Sequence, residues 1–181
     1  AAAMNRAVDD EIVAAATGTS KTGKSGGTST DLASAHIIAH GSAGLTVAKL
    51  LAAKEQLDLA DVDPSIPRHI AVAPQQIKDL LNTTEVKSSD FNTVRALARG
   101  ELNTFLGFTF HMSNRLALSS TTRTCFAWAQ DGILLAVGQD AKSRIEESSD
   151  KSFSTQVYYS QTVGATRMEE DKVVSILCTE S

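Results

Sequence analysis

The sequence predicts an α+β protein in which one helix precedes a compact α/β core and a long β-ribbon follows that core. Apolar residues in positions 1–17 recur at helical spacing, and positions 46–82 alternate helix, short strand and helix. From Ser152 to Ala165, apolar and polar side chains alternate with a period of two, which is typical of a half-buried strand. A chain of 181 residues is long enough to bury a core of its own.

The composition is that of a globular protein with charges of both signs. Hydrophobic residues make up 42% of the chain, and the net charge is -4. No dense cluster of lysine and arginine is present, which argues against tight sequence-specific binding of nucleic acid. No apolar run approaches the roughly 20 residues of a membrane helix, and the first residues lack the pattern of a signal peptide. We therefore expect no membrane contact.

The two cysteines, Cys125 and Cys178, stand in apolar segments that resemble strands. Neither belongs to a C-x-x-C pair or has a histidine at ligand spacing. We predict two buried free thiols in a reducing compartment, and no cofactor.

The first predicted element is a helix over residues 1–17. Met4, Val8 and Ile12 form one apolar stripe, and Gly18 suits the C-terminal cap. Because the chain opens inside this helix, we expect that residues upstream of Ala1 have been lost or left out.

The loop after this helix carries the pattern G-x-x-x-x-G-K-S. Gly18, Gly23, Lys24 and Ser25 match the phosphate-binding loop of nucleotide-binding enzymes, which gives an alternative function for the chain. That loop requires a buried strand before it and a helix that begins at its Lys-Ser pair. Here a helix comes first, and glycine, serine and threonine follow. We therefore predict an exposed loop or hairpin tip.

A short apolar strand is predicted within residues 33–40. His36 and His40 lie four residues apart in it, a spacing that would place both on one face of a helix as a metal pair. No third ligand is evident nearby, so hydrogen-bonded or solvated histidines are favoured.

The core continues with two helices and a strand between them. The first helix runs from Thr46, its N-cap, to Ala60. Its apolar face is predicted to contain Val47, Leu50, Leu51 and Leu57, and its outward residues Lys49, Lys54, Glu55 and Asp58. A buried strand follows over residues 69–73, and Pro74 starts the second helix, where its missing N–H costs nothing.

Strands and helices also alternate in the second half of the predicted core. In order, we predict a helix from Asp90 to Arg99, a strand from Phe105 to Met112, a strand from Thr124 to Ala129, a short helix from Asp131 to Gly138, and a strand from Lys142 to Glu147. The last strand leads into the ribbon. Most strands have only about 5 or 6 residues, so a ribbon this long indicates contact with another subunit.

No catalytic constellation is visible in the sequence. Serines and threonines are plentiful, but none stands in a G-x-S-x-G elbow or beside a paired histidine. Two acidic clusters are candidates for calcium or for paired carboxylates, although solvated turns or salt bridges between subunits explain them better; they contain Glu146, Glu147, Asp150, Glu169, Glu170 and Asp171. The sequence therefore favours a structural role over an enzyme, with a generic α/β interaction module as a further alternative.

From Gly138 onward the sequence is similar to that of a known family. The segment GQDAKSRIEESSDKSFSTQVYYSQTVGATRMEEDKVVSILC resembles the C-terminal region of major capsid proteins of tailed bacteriophages. Two upstream segments resemble the same family, namely LNTTEVKSSDFNTVRALARGELNTFLGFTF and CFAWAQDGILLAVGQD. The resemblance implies the Hong Kong 97-type capsid fold, with an axial α/β domain and a peripheral domain made of a spine helix and a long β-ribbon.

The resemblance also implies a division of the chain. Residues 1–43 would be the end of the spine helix and an exposed loop, 44–138 the axial domain, 139–168 the peripheral ribbon, and 169–181 a strand that returns to the axial domain. The N-terminal arm and the extended loop of the family have no counterpart here, so the resemblance implies a C-terminal fragment. No residue can be matched to a crosslinking pair.

The resemblance implies a structural protein that forms hexamers and pentamers of an icosahedral phage head around double-stranded DNA. Other capsid subunits would be its main partners, together with scaffolding and portal proteins and non-specific contacts to packaged DNA. Assembly would take place in the cytoplasm of the bacterial host. The expected subunit contacts are the charged residues of the ribbon and its adjoining turn, namely Arg144, Glu146, Glu147, Asp150, Lys151, Arg167, Glu169 and Glu170.

Overall fold

The structure, a computed structural model, describes residues 2–82, 104–151 and 153–180. Its helices are α1 (Ala2–Thr17), α2 (Val47–Leu59) and α3 (Pro74–Asn82). These confirm the first three helices predicted from the sequence, whereas the helix predicted from Asp90 to Arg99 lies outside the described residues. Within the described ranges, no helix is long and apolar enough to cross a membrane.

Eleven strands are described, arranged in three sheets. They are β1 (Ser20–Thr22), β2 (Thr28–Thr30), β3 (Ile37–Ile38), β4 (Arg68–Val72), β5 (Thr104–Phe105), β6 (Phe108–Met112), β7 (Leu118–Ser119), β8 (Thr122–Ala129), β9 (Ile133–Ser148), β10 (Ser154–Arg167) and β11 (Val173–Thr179). Strands β1 and β2 form a small hairpin, and β9 and β10 form the long ribbon. The remaining seven strands form a mixed sheet in the order β3-β11-β8-β4-β6-β5, with β7 added beside β8.

The strand register places a continuous set of buried apolar residues on one face of the large sheet. Ile70 pairs with Ala127 and with Phe110, and Val174 also pairs with Ala127, so these side chains share a face. All four are buried, and they form one core with the buried leucines of α2 and α3. This face carries the hydrophobic contribution to the stability of the sheet.

The opposite face of the sheet is more polar and lies under α1. It carries His69 and Trp128, which pair directly across β4 and β8, together with His111 and Phe126. Asp9 and other residues of α1 line a cavity with His111, Phe126 and Trp128. An ion pair between Asp10 and Arg115 further ties α1 to the loop after β6.

Helix α2 begins as the sequence predicts, but one of its lysines does not point outward. The hydroxyl of the N-cap Thr46 accepts a hydrogen bond from the Lys49 backbone N–H at 3.3 Å. The Lys49 side chain is buried, and its Nζ donates to backbone carbonyls. The prediction that Lys49 faces outward is therefore wrong, because the loop before α2 folds back over the helix and offers acceptors to the ammonium group.

The segment from Phe105 to Met112 forms two strands instead of the one predicted. Phe105 pairs with Phe108, and Leu106 and Gly107 form the turn between them with φ angles of 52° and 86°. Two central residues with positive φ define the tight turn that suits the twist of a hairpin. A leucine rarely adopts this conformation, so Leu106 did not indicate a turn.

The short helix predicted from Asp131 to Gly138 is also wrong. Residues from Ile133 onward belong to β9, where Leu135 pairs with Ala165 and Val137 with Val163. Pairing with β10 outweighs the local helix propensity of this apolar run. The ribbon therefore begins nine residues before Lys142, where the sequence placed its first strand.

The apolar segment at 33–40 contains only a two-residue strand. Ser34–His36 form a turn of 3-10 helix, and Ile37–Ile38 pair in parallel with β11. The chain returns to the large sheet through β11, which pairs with β8 along its whole length.

Candidate assembly surface

The ribbon of β9 and β10 is the candidate functional site, because its strands are much longer than those of the large sheet. Strand β9 has 16 residues and β10 has 14, and they pair antiparallel from Ile133–Arg167 at the root to Ser148–Ser154 at the tip. Two register shifts fall on either side of Thr162, which marks a bulged region between tip and root.

The register gives the ribbon tip two chemically different faces. Ile145 pairs with Val157, and Ser143 with Tyr159; we call this side the apolar face. Arg144 pairs with Tyr158, and Glu146 with Gln156, on the side that we call the polar face. The alternation predicted from the sequence is thus present in the structure.

Both faces of the ribbon tip are exposed in the single chain. Ile145 is 69% exposed, Val157 57% and Tyr159 55%. The prediction of a half-buried strand is therefore wrong for the tip in one isolated subunit, where no other element covers the apolar face within the described part of the chain. Towards the root, β10 is partly buried. Among the residues that the structure describes, eight of the fourteen exposed large hydrophobic side chains lie between Ile133 and Arg167, and such a concentration marks an interaction surface.

The polar face carries its own ion pair. Arg144 Nε lies 2.5 Å from Glu146 Oε1, and both side chains are largely exposed. An exposed pair of this kind adds little to the stability of the subunit. Both charged groups therefore remain accessible to a neighbouring molecule.

The other predicted contact residues divide into an exposed set and a structural set. Glu147 and Asp150 are exposed near the ribbon tip. Lys151 ends the 3-10 turn that joins the two strands, and its side chain lies outside the described set. Glu169 is exposed and accepts from Lys172 Nζ at 3.1 Å, whereas Glu170 is mostly buried and lies 3.9 Å from Arg167.

Arg167 differs from the other predicted contact residues because it lies inside the subunit. Its side chain is fully buried, and its guanidinium donates to the carbonyls of Ala16 at 3.2 Å, Gly18 at 2.7 Å and Thr30 at 3.2 Å. It thereby joins the C-terminus of α1 and the end of β2 to the root of the ribbon. The structure gives Arg167 a role within the subunit, which its position in the ribbon sequence did not reveal.

The segment with the phosphate-loop pattern forms a hairpin. Ser20–Thr22 pair with Thr28–Thr30, so Lys24 and Ser25 lie in the turn between two short strands. Strand β2 follows the Lys-Ser pair where the phosphate loop requires a helix N-terminus. This agrees with the prediction of a hairpin tip and removes the structural basis for a nucleotide site there.

The histidines form two separate groups. His36 is buried and lies 3.2 Å from Asp171, while Nδ1 of His40 accepts from the backbone N–H of Ser42 at 3.0 Å. His69 and His111 contact each other beside Trp128. Burial, and then the neighbouring His111, lowers the pKa of His69 below its usual value. Sequence reasoning missed this pair because 42 residues separate its members.

The cysteines are both buried and free, as the sequence predicts. They lie on the same face of adjacent strands, where Cys125 pairs with Ile176 and Cys178 pairs with Arg123. The hydrogen bond with Cys178 and burial raise the pKa of Cys125. Both thiols are therefore part of the apolar core.

Comparison with known proteins identifies relatives of the whole chain. A family model described as phage capsid protein matches residues 1–180. A search of curated proteins gives no significant match.

Several solved structures share the fold. A structure from Mycobacterium phage Che8 matches with a TM-score of 0.63 and 19% identity, covering 96% of this chain and 60% of that one. The capsid of cyanophage P-SCSP1u matches with a TM-score of 0.64 and 19% identity, covering 96% and 61%. The head of Helicobacter pylori bacteriophage KHP40 matches with a TM-score of 0.66 and 13% identity, covering 98% and 66%. The chain has the Hong Kong 97-type fold and spans about 60% of the length of the first two structures.

Proposed function

The chain belongs to the phage capsid protein family, and from that membership we propose that it is a structural shell subunit that assembles with other copies of itself. The subunits form hexamers and pentamers of an icosahedral phage head that encloses double-stranded DNA. The observation that carries this proposal is the ribbon, whose apolar tip is exposed in a single subunit. A surface of this kind is stable in water when a partner covers it.

The apolar face of the ribbon tip packs on a neighbouring subunit in this proposal. Ile145 and Val157 pair directly across the two strands, so one partner surface buries both side chains at once. Burial of an aliphatic side chain contributes about 1.5–3 kcal/mol. Repetition around a closed symmetric shell multiplies this modest contribution.

The charged residues of the ribbon and its adjoining turn set the orientation of the partner in this proposal. Charge complementarity at the rim of an interface contributes more to specificity than to affinity. We assign this role to the charged residues of the ribbon and its adjoining turn, namely Arg144, Glu146, Glu147, Asp150, Lys151, Glu169 and Glu170.

The subunit divides into a sheet unit and a ribbon unit in this proposal. The seven-strand sheet with α2 and α3 serves as the axial domain, and α1 with the ribbon serves as the peripheral domain. The proposed boundaries are residues 1–43, 44–138, 139–168 and 169–181, although β9 extends the ribbon back to Ile133. Scaffolding and portal proteins are further proposed partners, packaged DNA is contacted without sequence specificity, and assembly takes place in the host cytoplasm.

A double substitution on the apolar face tests the proposal. In the full-length gene product, Ile145→Ser with Val157→Ser removes the exposed apolar pair without touching the sheet core. We expect closed shells to be lost or strongly reduced in electron micrographs and in sedimentation velocity, while circular dichroism of the subunit stays unchanged.

The matched control replaces two exposed leucines outside the ribbon. Leu51→Ser with Leu59→Ser removes similar apolar surface from α2, where these side chains are 49% and 71% exposed. The control should assemble as the unmodified protein does. Normal shells from the ribbon variant would show that the apolar face is not a subunit contact.

A further inference from the structure

Two histidines on neighbouring strands direct ring nitrogens at each other. His69 is on β4 and His111 is on β6, and the parallel register places them on the same face, two pairs apart. Nδ1 of His69 lies 3.2 Å from Nε2 of His111. Both rings also contact the Trp128 ring, with centroids 5.4 Å and 5.7 Å away. The strands and this aromatic side chain hold the two imidazoles in place.

This separation fits a shared metal ion. Imidazole nitrogens lie about 2.0–2.1 Å from Zn²⁺, so two of them on a tetrahedral ion are roughly 3.3–3.4 Å apart. We propose that His69 and His111 form a two-histidine site for a divalent transition-metal ion such as Zn²⁺, which links β4 to β6 under helix α1.

Metal binding requires a change in the protonation of the histidine pair. In the hydrogen-bonded state, one of the two facing nitrogens carries the proton. A metal ion takes the lone pairs of both, so the proton of the donating ring moves to that ring's other nitrogen. His69 then carries its proton on Nε2 and His111 on Nδ1, and no net proton is released from the neutral pair. Imidazole is a preferred ligand of Zn²⁺ and Cu²⁺, whereas Ca²⁺ and Mg²⁺ prefer oxygen.

The space beside His111 accommodates the remaining ligands. A cavity of about 300 Å³ between α1 and the sheet is lined by His111, Asp9 and Ser113. Across the described ranges, no cluster of three or more histidine, cysteine or acidic side chains forms a metal site. Water therefore completes the coordination shell, and the ion exchanges readily.

Calorimetric titration of the full chain with ZnCl₂ at pH 7.5 tests this site. We expect one saturable Zn²⁺ site and no comparable site for Mg²⁺ or Ca²⁺. His69→Gln and His111→Gln should each weaken Zn²⁺ binding by about tenfold or more, since even the loss of an outer-shell partner costs roughly 10–100-fold. His40→Gln is the matched control, because His40 is an exposed histidine that pairs with no other imidazole in the described structure; it should leave the affinity unchanged.

A spectroscopic measurement separates metal ligation from a purely structural role of the histidines. The electron paramagnetic resonance spectrum of the Cu²⁺ adduct should show coupling to two imidazole nitrogens, and to one in each single variant. Zn²⁺ affinity that is unchanged in the double variant would overturn the proposal, as would a Cu²⁺ spectrum without two coupled nitrogens. Neither result depends on shell assembly, so both can be distinguished from failure of the proposed function.

Discussion

At the scale of single residues, Lys49 holds several backbone segments together through one ammonium group. Its Nζ lies 2.9 Å from the His40 carbonyl, 2.8 Å from that of Ala43, 2.9 Å from that of Gly44 and 3.0 Å from that of Leu177. Burial lowers the pKa of Lys49, and the carbonyl oxygens compensate by accepting from the charged form. The loop before α2 and the end of β11 are therefore fixed to the helix by hydrogen bonds to one side chain.

Removing this ammonium group should destabilise the subunit. Lys49→Met keeps the length of the aliphatic chain but removes the ammonium donor from all four carbonyls. The carbonyls of His40 and Ala43 keep backbone donors, so the loss falls mainly on those of Gly44 and Leu177. An unsatisfied buried polar group costs about 1–3 kcal/mol, so we expect the free energy of unfolding in urea to fall by at least that amount.

Lys54→Met is the matched control for Lys49→Met. Lys54 is exposed on the same helix, and surface substitutions usually change stability by less than about 0.5 kcal/mol. Equal stability of the two variants would show that the carbonyl contacts of Lys49 contribute nothing to the folded state.

At the scale of elements, the turn between β8 and β9 decides where the ribbon starts. The N–H of Gly132 donates to the Ala129 carbonyl at 2.8 Å, and the Gly132 carbonyl accepts from the N–H of Met168 at 2.9 Å. A Cβ atom at Gly132 would lie 2.9 Å from the Lys172 carbonyl oxygen. The chain passes so close here that only glycine fits without movement of the backbone.

Gly132→Ala should therefore destabilise the protein by about 1–3 kcal/mol, as overpacking of a tight contact does. The measurement is the midpoint of thermal or urea unfolding. Gly164→Ala in β10 is the control, because a Cβ there meets nothing within 4 Å. A Gly132 variant as stable as the Gly164 variant would contradict the close approach described here.

The elements on either side of this turn show which parts of the fold local sequence signals could predict. Helices α1, α2 and α3 follow from local signals such as the N-cap Thr46 and Pro74 at the first helical position. The strand after Gly132 does not follow from local signals, because the apolar run 133–137 is compatible with a buried helix and with a buried strand. Pairing with residues about 30 positions later in the chain determines that it forms a strand. Asp131-Gly132 is a turn-forming pair, but β8 and β9 belong to different sheets, so this pair does not predict the strand pairing of the ribbon.

At the scale of the whole molecule, contacts between distant segments define the arrangement, and the sequence pattern alone contains little of it. The alternation in β10 predicted a ribbon and a partner surface. It did not distinguish the exposed Arg144 from the buried Arg167, since both are arginines in the same ribbon. That distinction depends on where α1 and β2 end relative to the ribbon root, which only the folded chain determines.

Arg167 should therefore control how firmly α1 and the β1–β2 hairpin are attached to the ribbon. Arg167→Met removes the donors to the carbonyls of Ala16, Gly18 and Thr30, at a cost of roughly 1–3 kcal/mol for the acceptors left unsatisfied. The large sheet keeps its own buried core, so the loss should be local. Hydrogen exchange should accelerate at the end of α1 and in the hairpin, and remain slow in β4 and β8.

Arg144→Met in the exposed tip of the same ribbon should leave the exchange pattern of the isolated subunit unchanged, because its side chain is 75% exposed and pairs only with a largely exposed Glu146 among its described contacts. In the assembled shell, Arg144→Met should have the larger effect and Arg167→Met the smaller one. Arg144→Met then alters a proposed subunit contact directly, whereas Arg167→Met acts only through the attachment of α1. Equal exchange behaviour of the two variants in the isolated subunit would show that the buried guanidinium does not couple the helix to the ribbon.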